Sequence, residues 1–284
     1  MRAGENRTSP AAAAVILASG AGVRVGGERN KVYLPLGGRS VLAWSVRTFA
    51  ATPGIAALLV VIRPQDRPLA DTALSDSVLA DTVLADTVLA DTVLADTVLA
   101  AGRPDGALPA APGRPAGPAV EIIHGGVQRQ DSELMALRHL SPRITAGEID
   151  VVLMHDAARP LVSGELVSAV LTAAAGPGGA VPGVPRHGLV LASEDGAVAE
   201  ADLGTMMAMQ TPQGFPAGPL LEAYERAAAD GFYGTDTAAC MTRHTGLPAR
   251  CVPGDEHNIK ITYPHDLVIA EKFLASTGRT PCAR

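Results

Sequence analysis

Short apolar runs alternate with amphipathic, helix-like stretches along most of the chain. The apolar runs contain few polar positions and are shorter than most helices, which is typical of strands buried on both faces. They cover residues 12–18, 57–62, 120–124 and 151–155. Because helical patterns separate these runs, we expect right-handed crossovers and a mostly parallel sheet covered on both faces, which is a doubly wound α/β fold.

Helix boundaries are indicated by capping residues and prolines. Ser40 precedes a predicted helix at 41–50, Pro142 is expected to end one at 132–140, and a third is predicted at about 165–175. The last helix has Pro264 in its first turn. Its apolar contacts are expected from Leu267, Ile269, Ala270 and Leu274.

Residues 71–100 break the pattern. They form six pentapeptides that each begin with Asp, and the last four read Asp-Thr-Val-Leu-Ala. A five-residue period turns the Val-Leu pair by about 140° per repeat around a helix, so no apolar face persists. A β-solenoid is the alternative, but six short repeats without caps cannot bury a continuous core. Since 101–118 is rich in Pro, Gly and Ala, we interpret 71–118 as a dispensable insertion in one domain, 1–284.

Charge and cysteine content exclude several classes of protein. The formal net charge is −6, and Lys and Arg form no basic stripe of the kind that binds nucleic acid. Three cysteines without a C-x-x-C spacing argue against a disulfide framework or a zinc site. The apolar run after residue 11 imitates a signal peptide, but it leads directly into a Gly-rich loop. We therefore expect a cytoplasmic protein that binds neither nucleic acid nor membranes.

The Gly-rich loop follows the first predicted strand. Residues 18–24 read Ala-Ser-Gly-Ala-Gly-Val-Arg, and Lys31, one of three lysines in the chain, lies shortly after them. Glycines let backbone N–H groups approach phosphates, and Arg24 and Lys31 add positive charge. A plain strand-turn and a dinucleotide-binding loop are the alternatives. The dinucleotide loop requires an acidic residue after the second strand, where the chain has Ile62 and Arg63.

A second motif, His-Asp-Ala-Ala-Arg-Pro, begins at His155 at the carboxyl end of the fourth predicted strand. Open α/β sheets bind ligands at this end of their strands. A carboxylate there, Asp156, can hold a Mg²⁺ ion that bridges nucleotide phosphates. The alternative is that Asp156 only caps the next helix. Arg159 lies nearby in the motif, which makes this purely structural interpretation the weaker one.

Two further motifs lie next to predicted helix starts. Residues 125–132 read Gly-Gly-Val-Gln-Arg-Gln-Asp-Ser, which suits recognition of a base by backbone groups and Ser132 but also fits an ordinary helix N-cap. Lys260 lies in an apolar stretch that we interpret as a strand. A lysine in such a place usually has an anionic partner, here the phosphate that is transferred.

In this order the motifs resemble those of the 2-C-methyl-D-erythritol 4-phosphate cytidylyltransferases of the non-mevalonate isoprenoid pathway. The resemblance extends over nearly the whole chain outside 71–118 and includes 211–213, 235–236 and 258–262. It implies a Rossmann-like nucleotidyltransferase fold with a small β-arm for dimerisation at about 184–205, and a homodimer. It further implies a Mg²⁺-dependent transfer of CMP from CTP to a polyol phosphate, 2-C-methyl-D-erythritol 4-phosphate, with release of pyrophosphate.

The resemblance also implies roles for single residues. The catalytic cations are Arg24, Lys31 and Lys260. The acceptor side is formed by Asp156, which is also the metal ligand, and by Arg159, Thr235 and Thr262. The nucleotide is expected to contact Ala18, Ser19, Gly20, Gly22, Gly125, Gly126 and Ser132.

The arm departs from the family pattern. Residues 181–189 lack the family's Asp-Thr and Lys, and the Arg that the arm should carry falls at Leu203, although Arg186 or His187 offers a replacement. Asn30 stands where the family has Pro. The acceptor half is therefore altered, and the same chemistry on ribitol 5-phosphate or on a phosphonate is an alternative. A non-catalytic nucleotide-binding paralogue and an NAD-dependent oxidoreductase are the alternatives from other classes.

Overall fold

The computed structural model describes residues 10–20, 30–75, 84–85, 118–195, 198–199 and 204–277. Its helices are α1 (Val41–Ala51), α2 (Arg67–Ser75), α3 (Arg129–Thr145), α4 (Gly164–Ala174), α5 (Ala217–Asp230), α6 (Thr237–Thr245) and α7 (Pro264–Ser276). Its strands are β1 (Ala12–Leu17), β2 (Pro35–Leu36), β3 (Arg39–Ser40), β4 (Ile55–Ile62), β5 (Leu84–Ala85), β6 (Val120–His124), β7 (Val151–Asp156), β8 (Gly179–Arg186), β9 (Leu191–Ala192), β10 (Val198–Ala199), β11 (Met206–Met209), β12 (Gln213–Pro216) and β13 (Ala249–Pro253). Short 3-10 helices cover Lys31–Tyr33 and Pro64–Asp66.

One large sheet organises the described part of the chain. Its order is β11-β8-β12-β7-β1-β4-β6-β5, and β13 also pairs with β8. The strands at its centre, β7, β1, β4 and β6, are all parallel, and β12 and β11 run antiparallel to their neighbours. The predicted α/β fold with a mostly parallel sheet is confirmed.

Helices cover both faces of the sheet because successive side chains of a strand point to opposite sides. Ala12, Ala14 and Ile16 of β1 share one apolar cluster with α1, α2 and α4. Ala13 and Val15 share the other with α3, α5 and α6. Helix α7 packs separately on the β2–β3 hairpin. The central strands are therefore buried on both faces, as the apolar runs predicted.

The carboxyl ends of the central strands meet along one edge of the sheet. In the register of the sheet, Leu17 lies beside Asp156 and Val61, and Ile62 lies beside His124. The loops that follow β1, β4, β6 and β7 consequently leave the sheet side by side. This edge positions the motifs that the sequence singled out.

Most predicted helix boundaries are confirmed, and Ser40 caps α1 by accepting from the N–H of Ala43 at 3.1 Å. The prediction for α3 was wrong at both ends, since the helix spans Arg129–Thr145 and contains Pro142. Asp131 accepts from the N–H of Gln128 at 2.9 Å, which starts the helix one turn early. Pro142 lies in the last turn. Because proline has no N–H, one helical hydrogen bond is missing there, but the carbonyl of Pro142 still accepts from the N–H of Ala146 at 3.0 Å.

Two other predictions need correction. Ile269 of α7 is 40% exposed and is not part of the cluster, whereas Ala270 and Leu274 are buried in it and Leu267 packs against it. The insertion does not begin at residue 71, because 71–75 form the end of α2 and Leu74 is buried in the core. Leu74 follows Ala70 at helical spacing, which places both on the face that packs against the sheet. The remaining repeats and the connector lie outside the described residues, apart from β5, which pairs with β6.

The segment predicted as an arm contains a small antiparallel ladder. In it β9 pairs with β10, with Leu191 opposite Ala199 and Ala192 opposite Val198. Leu203 lies outside the described residues. Within the described ranges, no helix is both long and apolar enough to cross a membrane.

Candidate active site

A cleft of about 780 Å³ opens at the carboxyl edge of the sheet. It is bordered by the loops after β1, β4, β6 and β7 and by the 3-10 helix that begins at Lys31. We call it the nucleotide cleft, after the ligand that the sequence predicts. Of the predicted site residues, it brings together Ser19, Gly20, Lys31, Gly125, Gly126, Asp156 and Lys260. Gly22 and Arg24 lie outside the described residues.

The two glycine loops are held together by Ser132. The hydroxyl of Ser132 accepts from the N–H of Gly126 at 3.1 Å and lies 2.9 Å from the hydroxyl of Ser19. A Cβ at Gly125 would lie 2.5 Å from this hydroxyl oxygen, so no larger residue fits there. Ser132 is fully buried, so it holds the two loops together from the interior of the protein. Its contact with a base stays a prediction.

Asn30, noted in the sequence only as a departure, binds the first residue of the Gly-rich loop. Its buried amide donates to the carbonyl of Ala18 at 2.9 Å and to the carboxylate of Asp66 at 3.1 Å. Arg63 holds Asp66 through two bonds of 2.8 Å. Asn30 also caps the 3-10 helix by accepting from Val32 at 3.4 Å. The next residue, Lys31, is thereby fixed at the wall of the nucleotide cleft.

Asp156 lies between two cations. Its Oδ2 accepts from Lys260 Nζ at 2.6 Å, and its Oδ1 lies 3.5 Å from Arg129 Nη2. Burial raises the pKa of Asp156, but Arg129 and Lys260 outweigh burial and hold this pKa well below its usual value. Asp156 is therefore a carboxylate at neutral pH. Arg129 was not among the predicted site residues, although its position in the 125–132 motif beside the site glycines was a usable signal.

His155 and Thr211 position the backbone of Asp156. Because the carbonyl of Arg159 can only accept, the contact of 3.3 Å places the proton of His155 on Nε2. Nδ1 then accepts from the hydroxyl of Thr211 at 3.1 Å, and this hydroxyl accepts from the N–H of Asp156 at 3.1 Å. Burial lowers the pKa of His155 to about 3, so the ring is neutral.

A second cleft of about 290 Å³ lies on the other side of Lys260, which lines both clefts. We call it the acceptor cleft, after the ligand that the sequence predicts beside Arg159 and Lys260. Arg159 and Arg186 line it as well. Arg159 donates to the carbonyl of Asn258 at 2.7 Å, and Arg186 lies 3.2 Å from the carboxylate of Glu256. Three cations and one carboxylate, Glu256, line this small cleft, and the excess of positive charge favours an anionic ligand.

Lys260 does not lie in a strand, contrary to the prediction, since residues 258–262 have no regular structure. The segment is tied down instead by tertiary contacts. Ile261 is buried, and its N–H donates to the carbonyl of Ala158 at 2.8 Å. This bond holds the neighbouring residue, Lys260, over the end of β7, where the lysine contacts Asp156.

Thr235 and Thr262 line neither of the two clefts. The N–H of Thr262 donates to Asp266 at 2.7 Å, which starts α7, and its hydroxyl donates to the carbonyl of Lys260 at 3.1 Å. Thr235 is exposed and precedes Asp236, the cap of α6. A direct contact of either threonine with a substrate stays a prediction.

The chain is similar to a family of known enzymes over most of its length. A family model described as 2-C-methyl-D-erythritol 4-phosphate cytidylyltransferase matches residues 12–80 and 72–276. Proteins of that name from Cereibacter sphaeroides and Geobacter metallireducens are 34% and 33% identical over 265 and 262 residues. These alignments cover 93% and 92% of this chain, and 96% of each relative.

Solved structures with these names share the fold. The cytidylyltransferase from Thermus thermophilus superposes with a TM-score of 0.60 at 28% identity, covering 93% of this chain and 99% of that one. A 4-diphosphocytidyl-2C-methyl-D-erythritol synthase from Anaerococcus prevotii gives a TM-score of 0.68 at 22% identity, covering 94% and 96%. By these sequence matches, the chain belongs to the 2-C-methyl-D-erythritol 4-phosphate cytidylyltransferase family, a family of nucleotidyltransferases.

Proposed function

We propose that this chain transfers CMP from CTP to the phosphate of 2-C-methyl-D-erythritol 4-phosphate and releases pyrophosphate, as a step of isoprenoid precursor biosynthesis. One observation carries the proposal: Lys260 lines both the nucleotide cleft and the acceptor cleft. A cation shared between two clefts can neutralise the two phosphates that must meet for the transfer. Membership of the family supplies the identities of the two substrates.

The nucleotide cleft has the groups that a triphosphate requires. Gly20 and Gly126 expose backbone at its wall, and Lys31 adds charge from the opposite side. We assign the nucleotide to this cleft, with the phosphates toward Lys31 and Lys260. Arg24 would complete the set of cations from the Gly-rich loop.

The reaction needs positioning and charge neutralisation more than proton transfer. A phosphate monoester is largely dianionic at neutral pH, since its second pKa is about 6. One of its oxygens attacks the α-phosphorus of CTP in line, a P–O bond forms, and the bond to the β-phosphate breaks with departure of pyrophosphate. Lys31 and Lys260 stabilise the charge that gathers on the α-phosphate oxygens. Asp156, already ionised and bound to Lys260, holds this lysine in place.

We further propose that Mg²⁺ assists the reaction. Among the described residues, no three His, Cys, Asp or Glu side chains converge to form a metal site. The single carboxylate of Asp156 nevertheless fits Mg²⁺, which commonly takes one or two protein carboxylates and completes its shell with phosphate oxygens and water. When bound, the ion would neutralise phosphate charge beside Asp156.

The acceptor phosphate is assigned to the acceptor cleft, where Arg159, Arg186 and Lys260 converge. Arg186 lies in the stretch where the sequence departs from the family, so it is a candidate replacement for the missing arm residue. We propose a cytoplasmic homodimer formed through the arm that contains β9 and β10. Leu189 and Val190, 52% and 62% exposed, lie at its base and are available for such a contact.

A panel of acceptors tests the function. CTP is offered with 2-C-methyl-D-erythritol 4-phosphate, ribitol 5-phosphate and a polyol phosphonate, and pyrophosphate release is measured for each. We expect the highest kcat/KM for methylerythritol phosphate. In Arg186→Gln, the KM for this acceptor should rise roughly tenfold or more, because a charge-assisted bond is lost, while the KM for CTP stays unchanged. A higher kcat/KM with another acceptor would identify that acceptor as the substrate. The absence of pyrophosphate release with every acceptor would refute the reaction.

A further inference from the structure

A buried carboxylate lies directly behind the nucleotide cleft. Glu133 of α3 is 1% exposed, although a charge in a dry core requires partners on every side. Its Oε1 lies 2.9 Å from Arg129 Nη1 and accepts from the hydroxyl of Thr237 at 3.0 Å, and its Oε2 accepts from the hydroxyl of Tyr224 at 2.8 Å. Helices α3, α5 and α6 thus converge on one side chain.

The partners of Glu133 leave it little freedom to move. Tyr224 and Thr237 are fully buried, so their hydroxyls are fixed donors. Arg129 is one helical turn before Glu133 on α3, which places both on one face of the helix. The guanidinium of Arg129 therefore has one nitrogen 2.9 Å from the buried carboxyl group of Glu133 and the other directed at Asp156. Burial raises the pKa of Glu133, and Arg129 and the two hydroxyls oppose this rise.

We propose that Glu133 is a positioning residue for the transfer reaction. It holds Arg129 against Asp156, and Asp156 in turn holds Lys260 between the two clefts. The four side chains form a row of alternating charge, Glu133, Arg129, Asp156 and Lys260, that starts in the core and ends at the phosphates. An arginine is a long, flexible side chain, and the contact of 3.5 Å with Asp156 alone would not fix it. This inference rests on the proposed function only where it predicts changes in kcat.

A double-mutant cycle tests the proposal. Glu133→Gln keeps the shape of the side chain but removes its charge, so Arg129 loses its anchor. We expect kcat to fall roughly ten- to hundredfold, because small displacements of positioning groups have effects of this size. The KM for CTP should change little. In an Arg129→Met background, Glu133→Gln should cause no further fall in kcat.

The matched control is Glu225→Gln. Glu225 binds Arg138 of α3 at 2.7 Å, but this pair is exposed and lies outside both clefts. The control should retain wild-type kcat. A fall in kcat for Glu133→Gln that is equally large in the Arg129→Met background would overturn the proposal, and so would an unchanged kcat. If the charge-removing variants do not fold, Tyr224→Phe, which removes one donor only, takes the place of Glu133→Gln in the cycle.

A spectroscopic measurement separates this inference from the proposed function. In the wild-type protein, the guanidinium of Arg129 should show hindered rotation in arginine side-chain NMR spectra, and Glu133→Gln should abolish it. Free rotation in the wild type would contradict the anchor. If the wild type releases no pyrophosphate, the function fails, while the NMR result still decides whether Glu133 holds Arg129.

Discussion

Lys260 donates to Asp156 across 2.6 Å, although 104 residues separate the two in the chain. The bond links the loop before α7 to the end of β7 and fixes the lysine where the nucleotide and acceptor clefts meet. Lys260 therefore has a fixed position before any substrate arrives. Such preorganised charge is the main source of catalysis in phosphoryl transfer.

Removing the charge of Asp156 should free Lys260. Asp156→Asn retains the shape of the side chain but loses a charge-assisted bond, which contributes about 1.5–3 kcal/mol. We expect kcat/KM to fall roughly ten- to hundredfold, measured by pyrophosphate release. The control Asp71→Asn removes an exposed partner of Arg67 and should have no effect on turnover. Wild-type activity in Asp156→Asn would show that Lys260 needs no anchor.

Lys31 and Arg24 should act on the transition state more than on stability. Lys31→Ala and Arg24→Ala are each expected to lower kcat about 10²–10³-fold, as the loss of one stabilising donor does in other enzymes. Lys272→Ala is a convenient control, because Lys272 is an exposed residue of α7. Melting temperatures should stay close to wild type in all three. Near-normal turnover in either loop variant would remove that residue from the catalytic set.

Much of the fold could be predicted because a strand that is buried on both faces is apolar at nearly every position. The runs around β1, β4, β6 and β7 are apolar on both faces, so their strands and the edge where their loops meet followed directly. Pro142 misled the prediction for α3 because a helix tolerates proline in its last turn when other packing holds it. Leu74 was assigned to the repeats because the pentapeptide pattern begins at Asp71 and conceals the helical spacing of Ala70 and Leu74.

The candidate site could be predicted less completely. Motifs indicated Lys31, Asp156 and Lys260, since a charged side chain in apolar or Gly-rich surroundings usually has a ligand or partner of opposite charge. They did not reveal that Arg129 meets Asp156 or that Ser132 is fully buried and bonded to Gly126. The direction of a side chain at a helix start depends on the elements packed around it. For the same reason, the sequence did not predict that Thr262 lies with the N-terminus of α7.

Two deletions test the boundary of the insertion. Replacing 86–116 by a short Gly-Ser linker should preserve folding and activity, because the pentapeptide period gives this segment no persistent apolar face and the rest is rich in Pro, Gly and Ala. Replacing 71–116 removes the buried Ala73 and Leu74 and should destabilise the protein by about 2–5 kcal/mol, as the loss of a buried leucine does. Urea unfolding measures the difference. Equal stability of the two variants would mean that the end of α2 is not part of the core.

Protonation of His155 should destabilise the fold as the pH falls. Because its pKa is 6.5 in the unfolded chain and about 3 in the folded protein, its neutral form stabilises the fold fully above pH 6.5. This stability is lost progressively as the pH falls from 6.5 toward 3, by up to about 1.4 kcal/mol per pH unit.

Urea unfolding between about pH 8 and about pH 5 measures this slope with little contribution from carboxylates. His155→Gln cannot take up the proton, so its stability should depend less on pH over the same range. His265→Gln, a change at an exposed histidine, should keep the wild-type slope. An identical slope in His155→Gln would show that His155 does not titrate differently on folding.

The reaction itself is tested most directly with CTP that carries a radioactive label at its α-phosphorus. The purified protein is incubated with this CTP, Mg²⁺ and 2-C-methyl-D-erythritol 4-phosphate, and the products are separated by chromatography. We predict that the label moves into a cytidine diphosphate ester of methylerythritol, in equal amount to the pyrophosphate released. Label that stays in CTP, or that appears only in free CMP, would contradict the proposed transfer.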